Sequence, residues 1–529
     1  MADFFKSDKG IILLLILVFC ALLPFFYLHQ GLLLIDTGRE YYLSQQSAVG
    51  GVLYKDILNI YGPFAYQFNA LLFTVFGEKI SVPYIAGIFN SLIIVITLFL
   101  LSREFLNKSI SALITIITMF SLVFTTFLFN SNITYSFGII YALSSLLLSM
   151  LFLTKYVKNR NVKSAYLASF FAGLSISNKY EFILYPIILI AVFIFIQPLN
   201  IKQNIKALLS FLIVPVICFS ILFFEGLTLS DLKNAVEIMI KLGTSENIKL
   251  FYSNYGNIFF SPSSYINVLL KSGIGAIIGF LPAVNIILFF VNIKSIYKNK
   301  PVFIFCMTSI VCSIKFILFL NIGHMGAFLF PLCLLTTFVL CSKYKNINQF
   351  RYIISACLIL IFACRDFETL KYKNYKLETK KGTIYTFARD GRIINEVYNY
   401  LINNTKETDK VLVLPEGAMI NFLADRKSDN LFHNLVPLYY NDTFGEEKVL
   451  KHFKENPIDY YVLLPISTVE YGFKDFCSYA GNFCGIIEKD YQLIENCPEK
   501  TPKNEESASE CADLSNISGI KIYKRKNNQ

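Results

Sequence analysis

Long runs of apolar residues, separated by short polar stretches, fill the first 365 or so positions of the chain. Each run has about the 17 to 25 residues that a helix needs to cross a hydrocarbon core of roughly 30 Å. Only 16% of all residues are charged, whereas soluble domains carry about 25%. The pattern therefore predicts a polytopic α-helical membrane protein.

About eleven membrane-spanning helices are predicted from these runs. They cover residues 10–30, 82–101, 109–129, 135–154, 164–177, 181–197, 207–225, 266–292, 302–321, 325–342 and 351–365. From residue 366 onward the composition becomes that of a soluble α/β domain, with helices alternating with short buried strands. Two domains follow: a membrane domain over 1–365 and a folded tail over 366–529.

The charges between the spans indicate an orientation. One set of alternate loops, starting at the N-terminus, carries sixteen Lys and Arg against three acidic residues, Asp3, Asp8 and Glu104. The other set is nearly balanced. Because basic residues collect on the cytoplasmic side, the N-terminus is predicted to be cytoplasmic and the tail extracytoplasmic, as in a bacterial inner membrane. The net charge of +11 thus reflects topology, and no groove typical of nucleic-acid binding is seen.

Four cysteines of the tail agree with an outer location. Cys477, Cys484, Cys497 and Cys511 lie close together in the sequence. An even cluster in an oxidising compartment favours two disulfides, for which three pairings are open. Their spacing contains no CxxC pair, so a zinc site is disfavoured.

Two of the outer loops are longer than a connection requires, which usually indicates function. The loop over 32–81 contains two predicted helices, near 39–48 and 63–76. The loop over 226–264 contains an amphipathic helix that Ser230 or Asp231 is expected to cap.

The first outer loop opens with Asp36-Thr-Gly-Arg39, directly after the first span. A carboxylate at the membrane–water boundary is partly desolvated, which raises its pKa toward the range of a general base. The same residue could instead cap the helix that follows it. The two roles do not exclude each other.

The order of the motifs resembles the GT-C superfamily of membrane glycosyltransferases. It has Asp36-x-Gly after the first span, then Gly51-x-x-Tyr-x-Asp56, then Tyr61-Gly-Pro opening a helix that ends in Phe-Gly. The closest branch is the family 39 type, which includes protein O-mannosyltransferases and aminoarabinose transferases. Later segments, 173–181, 323–331 and 411–426, are similar to the family's outer turn, its late His…Pro span and its soluble domain. The first-loop pair is often Asp-Glu in that family, but here it is Asp36-Thr37.

The resemblance implies a transferase that moves a sugar from a polyprenyl-phosphate donor to an acceptor hydroxyl at the outer face, with inversion. Asp36 would be the catalytic base. Lys179, Arg39, Lys315 and His324 would bind the donor phosphate, because a leaving phosphate needs nearby positive charge. The substrate would also contact Asp56, Tyr61 and Glu181. Lys315 lies within the ninth predicted span, where an ionisable residue suggests function, although its side chain could also reach the outer surface.

The expected partners are therefore membrane lipid, the lipid-linked donor, and an acceptor that is a glycolipid, a glycan or a protein. No cofactor is expected, and a requirement for a divalent metal is left open. Two alternatives remain: a transporter or flippase for a lipid-linked or polar solute, and an outer-face glycan polymerase or ligase. A transporter usually shows paired repeats and charges near the midplane of the bilayer, which this sequence does not.

Overall fold

The computed structural model describes residues 7–126, 130–133, 135–248, 250, 274–318, 327–342, 344, 347–497 and 519–526. The part before the tail is helical. In chain order its helices are α1 (Asp8–Phe26), α2 (Asp36–Ala48), α3 (Phe64–Phe76), α4 (Ser81–Arg103), α5 (Lys108–Thr118), α6 (Phe137–Asn159), α7 (Val162–Ile176), α8 (Leu184–Ala191), α9 (Ile201–Phe224), α10 (Leu229–Thr244), α11 (Ile274–Ile296), α12 (Lys300–Leu318), α13 (Ala327–Leu340) and α14 (Ile347–Leu370).

Five helices in the described residues are long and apolar enough to cross a membrane. They are α1, α4, α6, α9 and, over Gly279–Ile296, most of α11. Shorter apolar helices accompany them, and α5 and α8 each continue into a π-helical turn, Met119–Val123 and Val192–Ile196. Within the described residues every predicted span overlaps a helix, while the count of eleven crossings stays a prediction.

Helix α6 lies at the centre of the helical bundle. In its most apolar stretch 89% of the residues are buried, and it packs against α4 and α7. Helices α7 and α9 approach closely at Gly173, where a Cβ atom would lie 2.0 Å from the backbone oxygen of Phe211. Small residues at such crossings let helix backbones pack tightly within a membrane.

The outer-loop helices were predicted correctly, with small differences at their ends. Helices α2 and α3 match the two helices predicted in the first loop. Helix α10 is capped by Thr228, not by Ser230 or Asp231. Asp231 occupies the third helical position, and its carboxylate accepts a hydrogen bond from the backbone N–H of Thr228 at 2.9 Å. The reciprocal pair is a capping box, and the helix starts at Leu229, two residues earlier than a cap at Ser230 would allow.

The tail begins with a β-hairpin that the sequence did not predict. Strands β1 (Tyr375–Thr379) and β2 (Gly382–Thr386) pair antiparallel within a segment rich in lysine and tyrosine. The hairpin is followed by α15 (Ala388–Asn404), β3 (Val411–Leu414), α16 (Ala418–Ala424), α17 (Glu446–Glu455), β4 (Tyr460–Leu463), α18 (Phe476–Tyr479), α19 (Gly481–Asp490), β5 (Tyr491–Cys497) and β6 (Ile520–Arg525).

Four of these strands form one sheet in the order β3-β4-β6-β5. Strands β3 and β4 are parallel and fully buried, as their continuous apolar sequences predict. Strand β6 pairs antiparallel with both β4 and β5. Cys477 and Cys484 form a disulfide, one of the pairs left open by the sequence, whereas Cys511 lies outside the described residues.

Candidate functional site

Asp36 occupies the first turn of α2, one residue after the cap position, which is the apolar Ile35. The interpretation of Asp36 as the side-chain cap of this helix is therefore wrong. Its carboxylate instead pairs with the guanidinium of Arg39, one helical turn along, at 3.0 Å. Both side chains keep some solvent access, 22% for Asp36 and 14% for Arg39, so both are available to a substrate.

Glu40 is a second carboxylate near Arg39, on the buried side of the arginine. Its carboxylate is fully buried and lies 3.7 Å from the Arg39 guanidinium. It also accepts hydrogen bonds from the Tyr66 hydroxyl at 2.6 Å and from the backbone N–H of Phe137 at 2.8 Å. Burial raises the pKa of Glu40, and the charge of Arg39 opposes that rise. Glu40 therefore ties α2 to α3 and α6 and fixes the arginine.

Lys179 lies in the turn that follows α7, and that turn is shaped by the first outer loop. A Cβ atom on Gly62 would lie 2.1 Å from the backbone oxygen of Ser177, so only glycine fits there. The Gly62 N–H donates to the backbone oxygen of Asn178 at 3.1 Å. This close packing brings Tyr61-Gly62-Pro63 and the turn that carries Lys179 together in space, although they are far apart in the sequence.

The docking places the Lys179 ammonium in an aromatic setting. It lies 3.4 Å from the centroid of the Tyr61 ring and 5.6 Å from that of Tyr135. Glu181 pairs with it at 3.8 Å, and only 1% of the lysine side chain is exposed. Because Arg39 also donates to the backbone oxygen of Tyr135, at 3.3 Å, the two cations flank the same tyrosine. This side of the site thus contains two cations, each with a carboxylate partner.

The tail supplies the opposite side of the site. Tyr439 and His433 line a small pocket together with Arg39, Tyr61 and Tyr66 of the membrane domain. The free space is about 10 Å³, roughly what one water molecule occupies. Burial lowers the pKa of His433 to about 4, so this imidazole is neutral at physiological pH.

A carboxyl group of the tail, that of Glu416, feels the charges of Asp36 and Arg39. Asn434 donates a hydrogen bond to it at 3.0 Å. Burial, and then the charge of Asp36, raise the pKa of Glu416 to about 8, against the opposing effect of Arg39. A carboxyl group whose pKa is raised in this way is typical of functional sites, although structural networks can also produce it.

A larger apolar pocket adjoins this site. It holds about 480 Å³ and is lined by one face of α10, by Phe219 of α9, and by Tyr54 and Tyr180. The hydroxyls of Tyr54 and Tyr180 lie 3.1 Å apart, and the Tyr54 hydroxyl donates to the backbone oxygen of Tyr61. Since Tyr61 also covers Lys179, the apolar pocket and the cation are connected by direct contacts.

The remaining predicted residues are placed as follows. Asp56 is exposed, and its carboxylate accepts from the backbone N–H of Val52 at 3.0 Å, within its own loop. Lys315 lies in α12, but its side chain is outside the described part of the structure, and His324 is outside the described residues altogether. Among the residues described, no group of three or more His, Cys, Asp or Glu side chains could hold a metal ion.

Sequence reasoning missed the residues that the tail contributes, namely Glu416, His433 and Tyr439. For Glu416 a signal existed. It follows the end of β3, a buried strand paired parallel with β4, and ligands of α/β sheets bind at the carboxyl ends of parallel strands. His433 and Tyr439 follow in an irregular segment whose sequence carries no comparable signal.

The fold and the site together define a helical membrane protein in which the motifs of the first long loop meet an α/β tail at a small pocket. Residues 61–223 match the family model of dolichyl-phosphate-mannose-protein mannosyltransferase. No curated protein sequence matches the chain.

The solved structures that are similar to the chain include the following two. ArnT from Cupriavidus metallidurans, bound to undecaprenyl phosphate, has a TM-score of 0.52 at 11% identity, with 99% of each chain covered. The Archaeoglobus fulgidus oligosaccharyltransferase in its apo form has a TM-score of 0.49 at 12% identity, covering 87% of this chain and 70% of that one. The family match and the fold shared with ArnT confirm the resemblance to the GT-C superfamily.

Proposed function

We propose that the protein transfers a sugar from a polyprenyl-phosphate donor to a hydroxyl group of an acceptor, with inversion at the sugar carbon. The observation that carries this proposal is the grouping of a carboxylate, two cations and an apolar pocket. Asp36 and Arg39 form an accessible ion pair, Lys179 flanks the same tyrosine as Arg39, and the apolar pocket adjoins Lys179 through Tyr61. A lipid-linked anion requires this combination of charge and apolar surface.

Asp36 is the general base in this mechanism. Its carboxylate takes the proton of the acceptor hydroxyl as the oxygen of that group forms a bond to the anomeric carbon of the sugar. The bond between that carbon and the phosphate oxygen breaks, and the electron pair leaves with the polyprenyl phosphate. As Asp36 becomes neutral, its attraction for Arg39 weakens. The guanidinium is then available to the phosphate.

Lys179 and Arg39 stabilise the leaving group. Negative charge grows on the phosphate as the bond breaks, so fixed cations in a site shielded from water lower the barrier. Lys179 is almost fully buried, which strengthens its field relative to that of an exposed lysine. The aromatic rings of Tyr61 and Tyr135 favour the charged form of the ammonium and keep it in place.

The prenyl chain occupies the apolar pocket between α9 and α10. This pocket offers the carbon side chains of Leu232, Val236, Met239 and Ile240, and each methylene removed from water there contributes about 0.8 kcal/mol. Lys315 and His324 remain candidates for the phosphate, and Asp56 and Glu181 for the substrate. The acceptor is a glycolipid, a glycan or a protein.

The catalytic face is extracytoplasmic. The excess of basic residues in alternate loops supports a cytoplasmic N-terminus and an outer tail over 366–529, and a disulfide in that tail is consistent with an oxidising compartment. A bacterial inner membrane fits these features.

The test is an assay of transfer in liposomes with a panel of polyprenyl-phosphate sugars, for the wild type, Asp36→Asn and a matched control, Asp490→Asn, which alters an exposed carboxylate at the end of α19. We expect the wild type and the control to release polyprenyl phosphate, and Asp36→Asn to bind donor but to lose about 100-fold or more in rate. Equal turnover by all three would exclude Asp36 as the base. Movement of labelled lipid across the bilayer without release would instead favour a flippase.

A further inference from the structure

The pocket that the tail shares with the first long loop has about the size of one water molecule. Its free space is about 10 Å³. Arg39 and Tyr61 line it from the loop, and His433 and Tyr439 line it from the tail. A space of this size admits a single hydroxyl group of a larger ligand, whereas a phosphate group or a sugar ring is too large for it.

Hydrogen bonds hold the imidazole of His433 against the first long loop. The backbone oxygen of Asn430 accepts from the backbone N–H of Leu58 at 3.1 Å and lies 3.0 Å from Nδ1 of His433. The Tyr42 hydroxyl donates to the side chain of Asn430 at 2.8 Å. One tail residue, Asn430, therefore binds the loop, α2 and the imidazole together, so the place of His433 at the pocket is fixed by direct contacts.

The contact with Asn430 also determines which nitrogen of His433 carries a proton. A carbonyl oxygen can only accept, so Nδ1 is the donor, and in the neutral ring Nε2 keeps a free lone pair. The neutral ring is favoured because it is only 4% exposed and shares the pocket with the guanidinium of Arg39. Burial lowers its pKa to about 4, against the opposing effect of the hydrogen bond to Asn430. Within the described part of the chain, Nε2 makes no hydrogen bond.

An imidazole lone pair restricts the kind of group that can enter the pocket. It accepts a hydrogen bond from an O–H or N–H group, but it repels an anionic oxygen that has no proton to give. An ammonium group would be repelled by the charge of Arg39. A hydroxyl group both donates and accepts, and Tyr439 carries a hydroxyl that can donate to it in return. The pocket therefore fits one hydroxyl of a neutral, polyhydroxylated ligand.

We propose that the pocket binds a sugar hydroxyl that takes no part in the reaction, with Nε2 of His433 as the acceptor and the Tyr439 hydroxyl as the donor. The proposal rests on the proposed function for its substrate class. The reacting hydroxyl gives its proton to Asp36, so the hydroxyl at His433 is a different one, either on the donor sugar or on the acceptor. The tail thus takes part in recognising a sugar, while Arg39 and Lys179 bind the phosphate.

Two substitutions of His433 separate the lone pair of Nε2 from the structural role of the ring. The amide nitrogen of asparagine takes about the place of Nδ1, so His433→Asn keeps a donor for the Asn430 carbonyl and removes the acceptor at Nε2. Glutamine places its amide near Nε2, so His433→Gln retains an oxygen that can accept there. Tyr439→Phe removes the proposed donor. The control is Glu455→Gln, in which an exposed carboxylate at the end of α17 is replaced.

The test uses the full-length protein in detergent and two probes. One is undecaprenyl phosphate without a sugar, and the other is the undecaprenyl-phosphate sugar that the wild type transfers fastest. The wild type and all variants should bind the first probe equally. His433→Asn should bind the second probe about tenfold or more weakly if the hydroxyl belongs to the donor sugar. If it belongs to the acceptor, donor binding should stay unchanged and the KM for the acceptor should rise by this factor.

The other variants should affect the same step. His433→Gln should retain most of the wild-type affinity, and Tyr439→Phe should weaken whichever step His433→Asn weakens. Glu455→Gln should behave like the wild type in both arms. Melting temperatures should be unchanged for His433→Asn, because its amide can still donate to the carbonyl of Asn430.

Three results would overturn the proposal. Weaker binding of undecaprenyl phosphate itself by His433→Asn would assign His433 to the phosphate or to the fold. Equal losses in His433→Asn and His433→Gln, with both variants folded, would show that the lone pair at Nε2 is not responsible. No loss in either arm would show that the pocket binds no substrate. If the wild type transferred none of the sugars, the proposed function itself would be wrong, which is a separate outcome.

Discussion

Met419 of the tail packs directly on Gly38 of α2, which lies two residues after Asp36. The contact leaves no room for a Cβ atom on residue 38. Around this contact the ring centroids of Phe422 and Tyr41 lie 5.2 Å apart, with the rings tilted. The Tyr42 hydroxyl accepts from the backbone N–H of Ser428 and donates to Asn430, each at 2.8 Å. The glycine of the Asp-x-Gly motif is thus explained by the docking of the tail. The tail is therefore part of the structural support of the loop that carries Asp36.

Replacing Gly38 by alanine should loosen the tail. Alanine favours a helix by up to about 1 kcal/mol over glycine, but here its methyl group would meet the backbone oxygen of Leu33 at 2.4 Å as well as Met419. Because two of the atoms in the way are backbone atoms, overpacking of about 1–3 kcal/mol outweighs the helical gain. We expect a lower melting temperature and faster proteolysis between α14 and α15.

The matched control for this variant is Gly243→Ala. Gly243 lies in α10, and a Cβ atom there would meet nothing within 4 Å. It should leave the melting temperature unchanged or raise it slightly. If Gly38→Ala behaved like this control, the tail would not be packed on α2 as described.

Lys179→Met should weaken donor binding while preserving the fold. Methionine has a similar length and can contact the Tyr61 ring, but it removes the charge that faces the proposed phosphate. Loss of one such fixed electrostatic partner costs about 100-fold or more in rate. Kinetics with a polyprenyl-phosphate sugar should show a fall in kcat/KM of this order, with an unchanged melting temperature.

Lys233→Met is the corresponding control. Lys233 lies on α10 with 76% of its side chain exposed and pairs with Glu237 at 3.9 Å. Exposed pairs of this kind contribute about 0–1 kcal/mol, so activity should be retained. An equal loss of activity in both variants would point to a general effect of surface charge. Full activity of Lys179→Met would show that Lys179 does not act in the donor site.

The local elements of this chain could be predicted from its sequence, because apolar runs and helical periodicity are local signals. The helices α2, α3 and α10 and the strands β3 and β4 were found in this way. The hairpin β1–β2 was missed because it buries little apolar surface, chiefly Leu377 and Ile384, within a strongly basic segment. Strand β6 pairs with β4 across about 60 residues of sequence, and no local pattern encodes such a pairing.

The candidate site was predictable only in part for the same reason. Asp36 and Arg39 are one helical turn apart, so their pairing follows from local sequence. The approach of Lys179 to Tyr61 depends on the close contact of Gly62 with the turn after α7, which a single sequence does not reveal. His433 and Tyr439 reach the site through the packing of the tail against the helical part of the chain.

Peptide mapping under non-reducing conditions should recover Cys477 linked to Cys484, as in the structure, and should find Cys497 and Cys511 joined to each other. The second pair follows from an outer, oxidising location of the tail. If all four thiols reacted with an alkylating agent before any reduction, the tail would face the cytoplasm, and the proposed orientation would be wrong.

Lys373 should make the stability of the docked tail depend on pH. Its ammonium is fully buried and donates to the backbone oxygens of Gly31, at 2.6 Å, and of Thr126, at 2.7 Å. Burial lowers the pKa of Lys373 to about 7, against the opposing charge of Asp390, while an unfolded lysine titrates near 10.4.

Between about pH 7 and pH 10 the unfolded state therefore binds more protons than the folded state, so stability rises with pH and is lost as pH falls toward 7. The slope is at most about 1.4 kcal/mol per pH unit. Melting temperatures in detergent from pH 7.0 to pH 9.5 should rise more steeply for the wild type than for Lys373→Met. Lys371→Met, which alters an exposed lysine two residues earlier, should keep the wild-type slope. Parallel curves for the wild type and Lys373→Met would mean that Lys373 stays charged in the folded protein, and that Gly31 and Thr126 bind it as an ammonium.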